Sequence, residues 1–394
     1  MHARPLLTPA LRLSRLILRD FRSYGVLEVR FDAPVVVITG ENGVGKTNLL
    51  EAISLLGPGR GLRGARMGDL GRRLDGAAPL PWAASGRFET PIGPFDVGTG
   101  TAPDGGPERR AWMLDGVAQK SSTVLAERVA AVWLTPQMDR LFQEGASGRR
   151  RFLDRLVWAL EPAHAREVAA HDHAMAGRNR VLAEGRADPA WLAALEEQMA
   201  RHAVAAVAAR QALARRLNAV LAGGEATGAF PAARMALACP IAMALEAGPA
   251  LAVEEALRAG LAADRRRDAS AGGAARGAHR TDMTLIHLEK DQPADRCSTG
   301  EQKALLVAVV LAHAALIAEA RGFAPLLLLD EVVAHLDQRR REALFAALAA
   351  LPAQSFLTGT DSAVFSPLSG LAQTFRASAG ILAPAAGDPL PESC

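Results

Sequence analysis

A glycine-rich turn between an apolar segment and a helical segment constrains the fold of this chain more than any other feature. Residues 35–38 are all aliphatic, as expected for a strand buried on both faces of a mainly parallel sheet. Residues 40–47 follow with the pattern G-x-x-x-x-G-K-T. The glycines of this loop permit positive φ and bring backbone N–H groups close to an anion. The order of strand, loop and helix predicts a phosphate-binding loop, and a chance glycine turn is the weaker alternative.

The residues of this loop have distinct expected roles. Lys46 would reach the β- and γ-phosphates of a nucleotide, and the Thr47 hydroxyl would bind Mg²⁺. The helix that begins near Lys46 would point its positive N-terminal end at the same anion. The predicted cofactors are therefore ATP and Mg²⁺. The predicted nucleotide-binding residues of the loop are Gly40, Glu41, Asn42, Gly43, Val44, Gly45, Lys46 and Thr47.

A second apolar run, at residues 325–329, ends in the carboxylate pair Asp330 and Glu331. Ligands of open α/β sheets bind at the carboxyl ends of the strands, where this pair would lie. Asp330 is predicted to complete the Mg²⁺ shell with Thr47, and Glu331 to act as the base that activates water. The alternative is a strand that simply stops at a polar turn.

The segment 298–302 has the form S-x-G-E-Q and opens a long apolar helix. Ser298 and Gly300 would present their N–H and hydroxyl groups to the γ-phosphate held by a second subunit. An ordinary serine N-cap with Glu301 in a capping box is compatible with that role. Residues 334–337 follow the carboxylate pair at the spacing of a D-loop, although Asp337 could be a simple helix N-cap.

The three motifs together resemble ABC-type ATPases, in which two subunits close over the nucleotide. The predicted fold class is α/β, an ABC-type P-loop ATPase head with a mixed sheet flanked by helices. Alanine- and leucine-rich sequence with helical periodicity interrupts the head, so we predict an inserted short helical arm domain. The predicted domains are residues 1–138 and 277–394 for the two halves of the head and residues 139–276 for the insertion. Early strands are predicted at 13–18, 26–31 and 35–39, and an antiparallel sheet over 83–119. A helix is predicted to begin at Asp188-Pro189, an N-cap followed by proline at the first helical position, and to end near the glycine pair 223–224. Residues 283–288 are expected to return to the sheet of the head.

Composition narrows the functional class. The chain has 394 residues, 49% of them hydrophobic, and a net charge of +3. No uncharged apolar run reaches 18 residues, so we expect no membrane partner. The first residues lack the apolar core of a secretory signal, and the three cysteines lack C-x-x-C spacing. These features favour a reducing cytoplasm without disulfides or a zinc hook.

Six segments, in order along nearly the whole chain, resemble the RecF family of bacterial recombination-repair ATPases. They are residues 18–24, 40–51, 148–154, 277–280, 298–303 and 328–337. The resemblance implies an ATP-dependent homodimer in the cytoplasm, associated with the nucleoid, that binds double-stranded DNA and gap junctions. It also implies work with RecR and RecO in loading RecA, in replication restart and in the SOS response. The expected enzyme activity is a weak, DNA-stimulated ATPase whose slow turnover times DNA release.

The sequence departs from these patterns at three places. Ala278 stands where the family has proline in Gly-Pro-His-Arg, so this turn lacks the rigidity that proline gives it. Gln137 stands where many members of the family carry an acidic residue. It suits the glutamine of the wider ABC class that senses Mg²⁺ and γ-phosphate, or it is a plain surface residue. The switch histidine of ABC transporters is missing, because residues 354–361 offer only Thr and Asp at this place, and Thr358 or Thr360 could hold the γ-phosphate water instead. The predicted catalytic residues are Lys46, Gln137, Ser298 and Glu331.

Arginines between residues 59 and 73 form a candidate DNA-binding loop, with Asp69 as counter-charge. Sequence-independent binding needs cations and a flexible backbone rather than base-reading side chains. A solvated basic loop is the alternative. The predicted phosphate-contacting residues are Arg60, Arg63, Arg66, Arg72 and Arg73. The triplet at 149–151 is expected to be structural or to lie in an interface, and the triplet at 265–267 is left open between DNA contact and a solvated face.

Other functional classes fit the sequence less well. A transporter subunit would keep the switch histidine, and a long-armed SMC-type ATPase would need hundreds of heptad residues. The remaining alternative is another SMC/ABC-type DNA-repair ATPase head that acts with a separate nuclease.

Overall fold

The computed structural model describes residues 11–74, 77–104, 106, 108–185, 188–224 and 226–385, except for the side chain of His335. The chain divides into two compact units. The head unit contains Met1–Asp139, Gly224–Pro231 and Thr299–Cys394, and the inserted unit contains Arg140–Gly223 and Ala232–Ser298. The first boundary lies within one residue of the predicted one. The second lies at residue 298 rather than at the predicted residue 276.

The strands of the described residues are β1 (Arg12–Phe21), β2 (Tyr24–Arg30), β3 (Val35–Thr39), β4 (Ala83–Glu89), β5 (Phe95–Thr101), β6 (Arg110–Leu114), β7 (Val117–Gln119), β8 (Ala131–Leu134), β9 (Ala233–Ala238), β10 (Asp282–His287), β11 (Gln292–Pro293), β12 (Leu326–Leu329), β13 (Ser355–Gly359), β14 (Ala372–Ser378) and β15 (Ile381–Pro384).

The α-helices are α1 (Lys46–Leu55), α2 (Thr123–Arg128), α3 (Ala146–Leu160), α4 (His164–Ala183), α5 (Pro189–Gly223), α6 (Pro240–Ala247), α7 (Ala250–Ala263), α8 (Arg265–Ala271), α9 (Thr299–Arg321) and α10 (Gln338–Ala350).

Two six-stranded sheets form the head unit. One is antiparallel in the order β2-β1-β4-β5-β6-β7, and the other has the order β15-β14-β3-β13-β12-β8. In the second sheet all neighbours are parallel except the edge pair β14 and β15. Strands β3 and β12, which precede the two predicted nucleotide motifs, are buried along their whole length. One apolar core contains residues of both sheets, so the predicted mixed α/β head is confirmed.

Helix α9 is the central helix of the head. By length and composition it could cross a membrane, but 78% of its most apolar 18-residue window is buried inside the protein. That burial is expected of a core helix, because a helix that is apolar all round needs cover on every side.

Within the described residues, six α-helices and a small antiparallel sheet form the inserted unit. Helix α5 runs from Pro189 to Gly223, the bounds that the Asp188-Pro189 start and the glycine pair predicted. Strand β10 pairs with β9 and β11. The expectation that residues 283–288 return to the sheet of the head is therefore wrong, because β9 supplies the hydrogen-bonding edge inside the inserted unit.

Arginines hold the inserted unit together through ion pairs. Arg178, fully buried, contacts Glu196 and Asp268 at 3.1 and 2.9 Å. Arg149 pairs with Asp282 at 2.7 Å, and Arg150 donates to the Thr281 carbonyl, which gives the 149–151 triplet a structural role. In the 265–267 triplet, Arg265 contacts Glu196 and Arg267 contacts Asp264. Because the buried Arg178 would be costly to leave unpaired, Glu196 and Asp268 fix the packing of the helices around it.

Candidate nucleotide site

The phosphate loop has the backbone that its glycines predict. Gly40, Gly43 and Gly45 all have positive φ, at 150°, 84° and 112°. A Cβ on Gly40 would lie 2.4 Å from the Ala377 carbonyl oxygen, and one on Gly45 would lie 2.6 Å from Ser23 Oγ. Both positions therefore need glycine for space as well as for conformation.

Tyr24, the only tyrosine of the chain, holds the end of the loop. Its buried hydroxyl donates to the Gly45 carbonyl at 3.0 Å. Burial raises the pKa of Tyr24 to about 12, so the hydroxyl keeps its proton at physiological pH. The backbone that precedes α1 is thereby fixed before any ligand binds.

Lys46 lies inside the loop rather than in solvent. Its side chain is 4% exposed, and Nζ donates to the carbonyls of Gly40 and Glu41 at 2.7 and 2.8 Å. These carbonyls are weak partners for an ammonium compared with phosphate oxygens. The cradle and its lysine therefore fit a phosphate anion, and the role of Lys46 in binding nucleotide stays a prediction.

Thr47 and Asp330 meet at the N-terminal end of α1. Thr47 Oγ1 lies 3.0 and 2.9 Å from the two carboxylate oxygens of Asp330, which is buried. A hydroxyl and a carboxylate at this position suit Mg²⁺, which usually takes one or two protein ligands and completes its shell with water and phosphate oxygens. No group of three or more His, Cys, Asp or Glu side chains suited to a metal occurs in the described part of the chain.

Glu331 lies beside the lysine. Its carboxylate is 3.9 Å from Lys46 Nζ and 34% exposed. The residue has φ +50° and ψ 28°, in the left-handed region that residues other than Gly, Asn and Asp rarely adopt. Its backbone N–H donates to Thr358 Oγ1 at 2.9 Å, and its carbonyl lies 3.5 Å from Lys303 Nζ. The structure thus brings together Lys46, Thr47, Asp330 and Glu331, as the sequence predicted.

The signature and D-loop segments are joined by an arginine that the sequence did not point to. Arg340 Nη1 donates to the Gly300 carbonyl at 3.4 Å. Asp337 caps α10, because its Oδ1 accepts from the Arg340 backbone N–H at 2.8 Å. The prediction that Asp337 is a helix N-cap is therefore confirmed. Ser298 immediately precedes α9, at the end of the inserted unit.

Gln137 is exposed on the short 3₁₀ segment Pro136–Arg140 that follows β8. The same segment is anchored to α9, because Asp139 Oδ2 lies 3.3 Å from the Nζ atom of Lys303, a buried residue. Sequence reasoning missed Lys303, and its only signal was a lysine within an otherwise apolar helix.

The arginine loop has more acidic partners than the sequence showed. Arg63 Nη1 lies 3.0 Å from Glu51, a buried residue of α1, and Arg72 lies 3.8 Å from Asp20. Arg73 pairs with Asp69 at 2.9 Å, as expected. Within the described residues, neither Arg60 nor Arg66 forms an ion pair, and both are exposed.

A half-buried arginine, Arg110, fixes the start of this loop. Arg110 donates to the carbonyls of Gly59 and Leu55 and to the Thr99 hydroxyl, and its guanidinium lies 3.5 Å from the Trp112 ring centroid. Burial lowers the pKa of Arg110 to about 9. The backbone at Gly59 is therefore held in place by Arg110, and Arg60 is the next residue of the loop.

Comparisons with known proteins agree with this geometry. A family model described as an AAA domain, AAA_23, matches residues 15–60. The DNA replication and repair protein RecF of Mesorhizobium japonicum is 46% identical over 94% of this chain and 97% of its own length. The RecF protein of Agrobacterium fabrum is 46% identical over 95% and 99%.

Solved structures extend the likeness to the fold. The recombination mediator protein RecF of the RecFOR pathway, in a structure with ATPrS, has a TM-score of 0.84 at 22% identity and covers 97% of this chain and 100% of that one. An Smc head bound to the C-winged helix domain of ScpA has a TM-score of 0.52 at 16% identity, over 95% and 96%.

The two sheets, the phosphate loop and the carboxylate pair define an ATPase head of the ABC type. Among heads of this type, the relatives at 46% identity match this chain over almost their whole length. The chain belongs to the RecF family of DNA replication and repair proteins, which confirms the resemblance in its sequence.

Proposed function

We propose that this chain is an ATP-dependent, dimeric DNA-binding protein of recombinational repair and replication restart. It binds double-stranded DNA beside single-strand gaps and helps RecO and RecR to load RecA, and slow ATP hydrolysis times its release from DNA. The observation that carries the proposal is the convergence of Lys46, Thr47, Asp330 and Glu331 at one edge of the parallel sheet.

Nucleotide binding follows from the loop and its lysine. The backbone N–H groups of residues 40–47 and the positive end of α1 would surround the phosphates. Lys46 would exchange its two carbonyl partners for phosphate oxygens, which are stronger acceptors. Thr47 and Asp330 would hold Mg²⁺, which neutralises charge on the β- and γ-phosphates when it is bound.

Hydrolysis requires a base close to the γ-phosphate. The half-buried carboxylate of Glu331 lies 3.9 Å from Lys46 Nζ, and it would accept the proton of the attacking water. Gln137 is exposed and follows β8, which pairs in parallel with β12, so it lies at the same edge of the sheet as Asp330. This position supports its proposed role as a sensor of Mg²⁺ and γ-phosphate. The DNA dependence and the low rate of turnover are part of the proposal.

Dimerisation would complete the site. Ser298 and Gly300 of one subunit would dock against the γ-phosphate held by the other, at the positive N-terminal end of α9. The Arg340 contact to Gly300 supports this role, because it ties the signature to the D-loop at α10, which would cross the dimer interface.

The partners are inferred from the family and from charge. The structural relative in the RecFOR pathway supports a partnership with RecR and RecO, and the arginine loop supports binding to the DNA backbone. We place the protein in the cytoplasm, in association with the nucleoid. Involvement in the SOS response follows from the same family role.

The decisive experiment measures ATP hydrolysis and dimerisation on gapped and on blunt duplex DNA, with and without ATP. We expect an ATP-dependent dimer, tighter binding to the gapped duplex and ATPase stimulation by DNA. The Lys46→Ala variant is the control for contaminating ATPase. A monomer that hydrolyses ATP at the same rate with and without DNA would contradict the proposal.

A further inference from the structure

A buried threonine contacts both carboxylate residues of the nucleotide site. Thr358 lies in β13, adjacent to the end of β12, and is 0% exposed. Its Oγ1 is 2.7 Å from Asp330 Oδ1 and 2.9 Å from the backbone nitrogen of Glu331. One hydroxyl therefore bridges the proposed Mg²⁺ ligand and the peptide of the proposed base.

The direction of both hydrogen bonds follows from the chemistry of the groups. An ionised carboxylate only accepts, so the single hydroxyl hydrogen of Thr358 must point at Asp330. A backbone N–H only donates, so Glu331 must donate to a lone pair of the same oxygen. The hydroxyl is thereby fixed in one orientation and has no hydrogen left for another acceptor.

The Glu331 peptide needs such support. Its left-handed conformation is one that a non-glycine residue keeps only where its surroundings enforce it. The N–H is held by Thr358, and the carbonyl faces Lys303 Nζ. Losing the Thr358 hydroxyl would release the N–H side of this peptide and remove the hydrogen-bond partner of a part-buried donor.

We propose that Thr358 is a positioning residue for ATP hydrolysis, which orients Asp330 through its hydrogen and Glu331 through its lone pair. The inference rests on the proposed ATPase function. It assigns Thr358 a role different from that of the missing switch histidine, because its only hydrogen is already donated to Asp330. Thr358 therefore does not donate a hydrogen bond to the γ-phosphate or to the attacking water.

The test compares Thr358→Val with Thr358→Ser in the full-length protein. Valine keeps the shape and removes the hydroxyl, whereas serine keeps the hydroxyl. We expect valine to lower kcat roughly 10–100-fold, the usual effect of removing a group that orients a metal ligand, and to raise the Mg²⁺ concentration for half-maximal activity. The KM for ATP should change less than kcat, and serine should restore both kcat and the Mg²⁺ requirement.

Thermal melting of each variant separates positioning from folding. If the valine variant does not fold, Thr358→Cys retains a weaker donor and should give an intermediate kcat. A folded valine or cysteine variant with wild-type kcat and Mg²⁺ requirement would overturn the inference and leave the ATPase function intact. A wild-type protein that hydrolyses no ATP would instead contradict the proposed function itself.

Discussion

Thr47 and Asp330 share two short oxygen–oxygen contacts, at 2.9 and 3.0 Å, although 283 residues separate them in the chain. Thr47 lies in the first turn of α1, at the end of the phosphate loop that follows β3, and Asp330 follows β12, two strands away from β3 in the same sheet. The parallel order β3-β13-β12 brings the carboxyl ends of these strands to one edge. The inserted unit lies between these residues in sequence, so the nucleotide site depends on the pairing of both halves of the head.

Replacing Lys46 by alanine should abolish ATP-dependent dimerisation. The substitution removes the cation that would neutralise the β- and γ-phosphates and also the two hydrogen bonds to Gly40 and Glu41. Light scattering with and without ATP measures the dimer. Lys46→Arg is the control, because it keeps the positive charge but changes the size and geometry of the side chain. An ATP-induced dimer of the alanine variant would exclude the proposed role of Lys46.

Replacing Glu331 by glutamine should separate binding from hydrolysis. The amide still reaches the water but cannot take its proton, so turnover should fall roughly 10²–10⁴-fold. ATP-bound dimers should accumulate and complexes with DNA should persist longer, as measured by single-turnover hydrolysis and DNA dissociation rates. Wild-type turnover would show that another residue is the base.

The nucleotide motifs could be predicted because their signals are local. Residues 35–47 specify a buried strand and glycine turns within a short stretch, and α5 is bounded by Pro189 and a glycine pair. Strand pairing is different, because the local sequence of β10 does not indicate that β9 is its neighbour. The sequence therefore did not predict that β10 belongs to the inserted unit, and the predicted second domain boundary was misplaced.

Partners of charged side chains were the other part that local sequence did not reveal. Glu51 reads as an ordinary helix residue, yet in the fold it is buried and accepts from both Arg22 and Arg63. The double role of Thr358 depends on the adjacency of β12 and β13, which only the sheet order supplies. Residue type determines which hydrogen bonds a side chain can donate or accept, and the fold determines which partners are within reach.

Replacing Ser298 by arginine should block the dimer while leaving nucleotide binding to the monomer nearly intact. The long cation would occupy the space in which the partner's γ-phosphate is proposed to dock at the start of α9. Nucleotide titration and sedimentation of the same samples give the answer, with Ser298→Ala as the small control. A parallel loss of monomer affinity would contradict a signature that acts across subunits.

The inserted unit should lose stability when Asp154 is replaced by asparagine. Asp154 accepts from His164 at 2.8 Å and pairs with Arg210, a buried residue, at 2.7 Å. Removing the carboxylate leaves a buried guanidinium without its counter-charge, which should cost about 3–5 kcal/mol of unfolding free energy. Chemical denaturation followed by circular dichroism measures the loss.

The same ion pair predicts the pH dependence of that loss. Burial alone would raise the pKa of Asp154, but hydrogen bonds from His164 and Arg210 hold it below its usual value. A lowered carboxylate pKa stabilises the folded protein above the unfolded-state pKa of about 3.9 and stops doing so as the pH falls through the folded-state value. The difference in stability between wild type and Asp154→Asn should therefore shrink below about pH 4. A difference that stays constant with pH would argue against the ionised pair.

Replacing Arg60 and Arg66 together by alanine should weaken binding to duplex DNA without regard to sequence. Both side chains are exposed, and neither forms an ion pair within the described residues, so they are available to phosphates. Each lost phosphate contact should flatten the slope of log affinity against log salt by about 0.9. Arg63→Ala is a separate case, because this residue also contacts Glu51 and Asn48 of α1 and its loss should disturb the nucleotide site as well.

Fluorescence anisotropy at several salt concentrations measures that slope, and light scattering checks that ATP-driven dimerisation survives in the double variant. Arg73→Ala is the matched control, since Arg73 lies in the same loop but is paired with Asp69. Its slope should change less than that of the double variant, because the ion pair already competes for its charge. An unchanged slope for Arg60 and Arg66 would move the DNA-binding surface away from this loop, to the arginines of the inserted unit.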